Sequence, residues 1–240
     1  MKKIAFLGAT DKSHLLLALG KLLAAAGQRV LLVDSSMAQT VLGYLPRTDD
    51  RPGAFVTEFE GFDVAVGFLT YGQLDRHVNQ TEGGWPHYDV LLLDTDHSEF
   101  VGRHLPAFDH YVWCGSFEKL TLQKNKDLMR RLGLDKASEQ PLVGFKMWCP
   151  FVESTIPEAY FDSFYSCFHI RWEEPVFRIP LSDQDLSVMI GNQHQERVSV
   201  KGLSGTYAKN VQWLAQVLFG LDGRTVKRAW KRMRRDRRGA

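Results

Sequence analysis

The sequence is poor in cysteine, in long apolar runs and in histidines placed to share a metal. Each shortage closes off a class of protein. Its three cysteines, Cys114, Cys149 and Cys167, stand far apart with no paired spacing. Neither a disulfide framework nor a cysteine zinc site is expected, and a reducing cytoplasm suits such thiols. No stretch reaches the ~18–20 consecutive apolar residues that a membrane-spanning helix needs. Near the N-terminus, Ile4-Ala5-Phe6-Leu7 is ended by Gly8, too short for a signal-peptide core; it reads as a first strand. None of the eight histidines has a second one four residues away beside a glutamate, so surface or ordinary hydrogen-bonding roles are expected for them. Gly202-Leu203-Ser204-Gly205 lacks the G-x-S-x-G spacing of a nucleophile turn and reads as a helix entry capped by Ser or Thr.

What is present is an ordinary globular composition, 44% hydrophobic and 24% charged over 240 residues. That is enough chain for one central sheet covered by two helical layers. Short apolar runs alternate with longer helical patterns, the mark of βαβ units and a mostly parallel sheet with helices on both faces. Strands are expected at Lys3–Leu7, Arg29–Asp34, Asp63–Phe68, Tyr88–Asp94, His110–Cys114, Leu142–Trp148 and Val176–Ile179. Helices are expected at Ser13–Ala26, Phe117–Leu132 and Tyr207–Phe219, closed by Gly27, Gly133 and Gly220. Pro46 to Gly53 reads as an exposed loop, and Gly83-Gly84-Trp85-Pro86 as a turn. Aromatic side chains crowd Phe145 to Trp172 and are expected mostly in the core, with room for an exposed patch.

Charge divides the chain. From Gly223 onward, nine basic residues face the single acid Asp236, while the total is only +2, so the rest of the molecule is acidic. Residues 1–222 form one domain and 223–240 a basic tail. In that tail Val226, Ala229, Trp230 and Met233 recur at helical spacing, bordered by Lys227, Arg228, Lys231, Arg232, Arg234 and Arg235. The expectation is an amphipathic helix on an anionic membrane or partner surface, with Trp230 at the interface.

After the first strand comes Gly8-Ala9-Thr10-Asp11-Lys12-Ser13-His14. Gly8, Lys12 and Ser13 stand at the offsets of the opening glycine, the phosphate-reaching lysine and the magnesium-binding hydroxyl of a phosphate loop. Asp11 replaces the glycine directly before the lysine, putting a side chain and a negative charge where a polyanion should approach. With the second strand Arg29-Val30-Leu31-Leu32-Val33-Asp34 and the strand Tyr88-Asp89-Val90-Leu91-Leu92-Leu93-Asp94, the framework from Lys2 to about Asp96 resembles the MinD/ParA family of deviant P-loop ATPases.

The resemblance implies a site for ATP and Mg. Residues 8 to 14 would cradle the nucleotide, and Ser13, Asp34 and Asp94 would hold the metal. It also shows three losses. The family's cross-dimer lysine is matched by Leu7, the glycine by Asp11, and the second acid that helps activate water by Ser36. No residue is assigned a catalytic role, and a member that does not hydrolyse ATP is expected. The implied function is a cytoplasmic positioning or scaffold factor that recruits a partner protein complex, in a peripheral position at the inner face of the membrane. It resembles the localisation factors of pilus and secretion machineries. A homodimer through the loop-bearing face is also implied. The rival functions are a working ATP-dependent dimerisation switch and a nucleic-acid-binding module using the tail.

Overall fold

The computed structural model describes residues 1–46, 53–81, 84–102, 108–136, 140–180 and 182–235. Its core is an eight-stranded sheet. The strands are β1 (Lys2–Leu7), β2 (Val30–Asp34), β3 (Phe55–Phe59), β4 (Phe62–Val66), β5 (Val90–Thr95), β6 (His110–Gly115), β7 (Leu142–Phe151) and β8 (Ile170–Pro180), in the order β3-β4-β2-β5-β1-β6-β7-β8. Every pairing is parallel except the β3–β4 hairpin at one edge. The central strands are apolar on both sides because both faces are covered.

Helices α1 (Ser13–Ala25), α7 (Gly205–Phe219) and α8 (Gly223–Arg235) share one core with Ile4, Phe6, Leu32 and Leu92. Opposite, α2 (Tyr71–Thr81), α3 (Ser98–Val101), α4 (Lys119–Arg131) and α5 (Glu158–Ser163) lie over Ala5, Leu7, Val33 and Leu93. Helix α6 (Asp183–His194) follows β8. The expected architecture is therefore what the structure has. Helix α1 lies close on the sheet at Gly20, where a Cβ would come within 2.9 Å of the Phe62 ring.

Several elements differ from expectation. Strand β8 runs from Ile170, well before Val176, and β7 continues to Phe151. Strand β3 falls in a stretch with no clear pattern. Its turn has both central residues at positive φ, Glu60 (56°) and Gly61 (89°), as a two-residue hairpin of primed type requires. Helix α6 escapes the sequence because its pattern is inverted: Leu186 and Ile190 are exposed while Asp185 and Asn192 are buried. Residues 47–52 and Gly83, within the loop and turn expected from sequence, lie outside the described residues, as does Asp236 in the tail.

The tail expectation needs a correction. Residues 223–235 are helical, but the apolar stripe faces inward, with Val226, Ala229, Trp230 and Met233 buried in the core that α1 and α7 build. Trp230 is only 8% exposed, so it is not an interfacial side chain in this fold. Arg232 Nη1 donates to the Ala25 carbonyl at 2.8 Å, tying α8 to the end of α1. Lys227, Arg228, Lys231, Arg234 and Arg235 point away from the core and are exposed.

A stability measurement checks this docking. Trp230→Ala should cost about 3–5 kcal/mol in chemical denaturation, while Lys227→Ala on the outer face should change stability by less than about 0.5 kcal/mol. A Trp230→Ala cost below about 1 kcal/mol would mean that α8 is not part of the folded core.

Candidate functional site

The loop between β1 and α1 leaves the sheet where β1 lies between β5 and β6, and the chain folds tightly there. Gly8 has φ +133°, donates to the Thr95 carbonyl at 3.0 Å, and would set a Cβ 2.0 Å from the Cys114 carbonyl oxygen. Only glycine is accommodated. The Ala9 amide donates to Asn125 Oδ1 at 2.9 Å, and Asn125 Nδ2 donates to the Cys114 carbonyl at 2.8 Å. The Thr10 hydroxyl donates to the Cys149 carbonyl. Asn125, buried on α4, thus holds the loop from below. Sequence reasoning missed it because a single asparagine in a helix carries no signal.

Lys12 turns inward. Its ammonium donates to the Gly8 carbonyl at 2.9 Å and the Thr10 carbonyl at 3.3 Å, and lies 2.6 Å from Asp94 Oδ1. Both side chains are nearly sealed, at 1% and 2% exposure. Burial is the largest influence and works against the lysine's charge, yet Asp94 together with Cys114 and Asp96 outweighs it and raises the ammonium pKa. For Asp94, burial dominates and pushes the carboxyl up to about 7 against the pull of Lys12, with Asp34 and Asp11 adding to the rise.

The other expected metal ligands are also engaged within the chain. Ser13 donates to Asp11 Oδ1 through both its amide (2.9 Å) and its hydroxyl (2.7 Å). Asp34 accepts from the Ser36 amide (2.9 Å), the Ser36 hydroxyl (2.6 Å) and the Val41 amide (3.0 Å). Among the described residues no group of three or more His, Cys, Asp or Glu side chains is arranged to hold a metal. Leu7, which matches the family's cross-dimer lysine, is the last residue of β1 and is fully buried. The structure thus brings together residues 8 to 14, Asp34, Ser36 and Asp94.

His14 is not solvated but buried. Asn192 Nδ2 donates to its Nε2 at 3.0 Å, and its Nδ1 lies 2.9 Å from the Tyr207 hydroxyl. Asn192 is oriented by Ser199, whose amide donates to Oδ1 and whose carbonyl accepts from Nδ2. His14 is therefore neutral with its proton on Nδ1. Burial lowers its pKa to about 4, although Asp11 and Asp185 pull the other way. Beside it lies a cavity of about 170 Å³ lined by His14, Tyr44, Cys149, Pro150, Met189 and Tyr207, among others. That is smaller than the ~300–1,000 Å³ typical of ligand sites. Burial pushes the Cys149 thiol up to about 12 and raises Cys114 as well, so neither is a ready nucleophile.

No protein-family model and no curated protein sequence matches the chain. Solved structures do. A ParA family ATPase from Chlorobium tepidum TLS superposes with a TM-score of 0.59 at 15% identity, over 90% of this chain and 98% of that one. The septum site-determining protein MinD from Pyrococcus horikoshii OT3, complexed with Mg-ADP, gives 0.52 at 13%, over 90% and 96%. Aquifex aeolicus MinC:MinD gives 0.50 at 10%, over 97% and 96%. The fold is the one seen in these ParA and MinD ATPases.

His14 gives a pH-dependent outcome. The unfolded chain takes up its proton near pH 6.5 and the folded chain only near 4, so between these values acidification favours unfolding through this residue. A His14→Gln variant isolates the histidine. Between pH 6.5 and 4.5 the wild type should lose roughly 2 kcal/mol more stability in urea unfolding than the variant loses. Equal losses would mean that His14 titrates normally in the folded chain.

Proposed function

We propose that this chain is a MinD/ParA-like protein that does not hydrolyse ATP and acts as a positioning or scaffold factor, recruiting a partner protein complex. The observation that carries this reading is the direction of Lys12: the side chain that would reach a phosphate is buried against Asp94. Drawing the lysine toward a phosphate would leave Asp94 buried without its partner, a cost that a nucleotide would have to offset before gaining anything from the lysine.

The residues do not fit Mg-ATP as they stand. Asp11 adds a negative charge at the start of α1, the Ser13 hydroxyl is donated to Asp11, and Asp34 already accepts three hydrogen bonds from its own loop. Ser36 offers no carboxylate to activate a water, and its hydroxyl is donated to Asp34. The Mg-ADP of the Pyrococcus MinD structure is therefore not carried over to this chain, whereas the partner complex of Aquifex MinD, with MinC, is the closer guide to its role. Any homodimer through the loop-bearing face forms without nucleotide.

Purified protein should hydrolyse ATP no faster than its Lys12→Ala variant, and light scattering should give one mass with or without ATP. Magnesium-dependent turnover lost in that variant, or a dimer formed only with ATP, would establish the dimerisation switch instead.

The basic face of α8 favours an anionic partner surface. With its apolar stripe buried, α8 would adhere by charge alone, the ammonium and guanidinium groups each contributing on the order of 1 kcal/mol near an anionic membrane. Peripheral attachment at the inner membrane face follows. Anionic liposomes should retain the full chain at low salt and release it as salt rises, while neutral liposomes retain none. Retention by neutral liposomes would point to insertion of apolar side chains, and preference for DNA over liposomes would favour the nucleic-acid role.

A further inference from the structure

The exposed Asp11 carboxylate, one residue before the N-cap position of α1, does more than close a local turn. Its Oδ1 accepts from the Ser13 amide and hydroxyl at the first turn of α1, and also from the hydroxyl of Thr40 at 3.2 Å. Thr40 opens a 3-10 turn, Thr40–Gly43, in the segment that follows β2. That segment is pinned at two further points. Asp34 takes the Ser36 and Val41 amides, and Asp96 takes the Met37 amide at 2.9 Å. Asp11 is the contact that reaches it from the loop itself.

In a working phosphate loop, an anion at the N-terminus of the helix is the ligand's own phosphate, held by amides and the helix dipole. Here a carboxylate of the chain meets the first-turn amide and hydroxyl, and Asp11 adopts no left-handed backbone to do so. A local turn would require only the contact to Ser13. The contact to Thr40, 29 residues further on, couples the loop to a second segment.

We propose that Asp11 is an internal stand-in for a bound phosphate, closing the loop and clasping the segment after β2 in one arrangement without nucleotide. The proposal rests on the non-hydrolysing reading above and adds its regulation. Met37, 73% exposed, and Leu42, 43% exposed, ride on the clasped segment.

The test is amide hydrogen exchange over residues 37–44 in the full chain, comparing the wild type with Asp11→Gly and Thr40→Val, together with calorimetric titration of inorganic phosphate. Thr40→Val removes only the clasp and leaves the α1 contact intact, which guards against misfolding of the loop variant. Both variants should exchange roughly fivefold faster or more across this segment. Phosphate should bind Asp11→Gly at least about tenfold more tightly than the wild type and restore protection there. Unchanged exchange in both variants would overturn the clasp. Faster exchange with no gain in phosphate affinity would overturn the stand-in role. ATP turnover by the wild type, measured on the same preparation, would overturn the non-hydrolysing reading while the exchange data judge the clasp separately.

Discussion

The ion pair of Lys12 and Asp94 is the constraint around which the loop-bearing face is organised. An ammonium and a carboxylate this deeply buried are costly to desolvate, and the geometry compensates by giving the lysine two backbone carbonyls as well as Asp94. Those carbonyls belong to Gly8 and Thr10, so the pair fixes the course of the loop. Gly8 must then pass against the Cys114 carbonyl, and Asn125 must take the Ala9 amide. Asp94 lies at the end of β5, next to β1 and β2 in the sheet, so the same pair joins three strands to the start of α1.

Helix α1 carries this arrangement across the molecule. Its first turn holds Ser13 and His14, the latter linked through Asn192 to α6 and through Tyr207 to α7. Further along, Lys21 lies 2.6 Å from Glu60 in the β3–β4 turn and donates to the Val198 carbonyl. Its last turn receives Arg232 of α8. A helix so engaged at both ends leaves little freedom for its N-terminus to rearrange around a ligand.

The sheet and most of its strands were legible in the sequence, because strands buried on both faces read as unbroken apolar runs such as Val30-Leu31-Leu32-Val33 and Val90-Leu91-Leu92-Leu93. A helix entry capped by Ser or Thr was legible at α7 too, and it is Ser204 that accepts from the Tyr207 amide. The edge strand β3 and helix α6 were not, the first because a hairpin on the sheet edge needs no strong pattern, the second because its polar face is the buried one. Among the site residues, the loop and its two strand-end acids were legible from spacing. Their partners were not: Asn125 and Thr40 lie far from the loop in sequence and meet it only in the fold. The tail was half legible, since helical spacing revealed the stripe but not that the stripe would find a core of this chain to cover it.

The most direct measurement of the closed loop is calorimetric titration of ATP with magnesium into the wild-type chain. A loop held by Lys12–Asp94 and occupied by Asp11 requires that no binding be detected at micromolar nucleotide. Micromolar affinity that depends on magnesium and disappears in Lys12→Ala would show the lysine free to reach a phosphate and contradict the account.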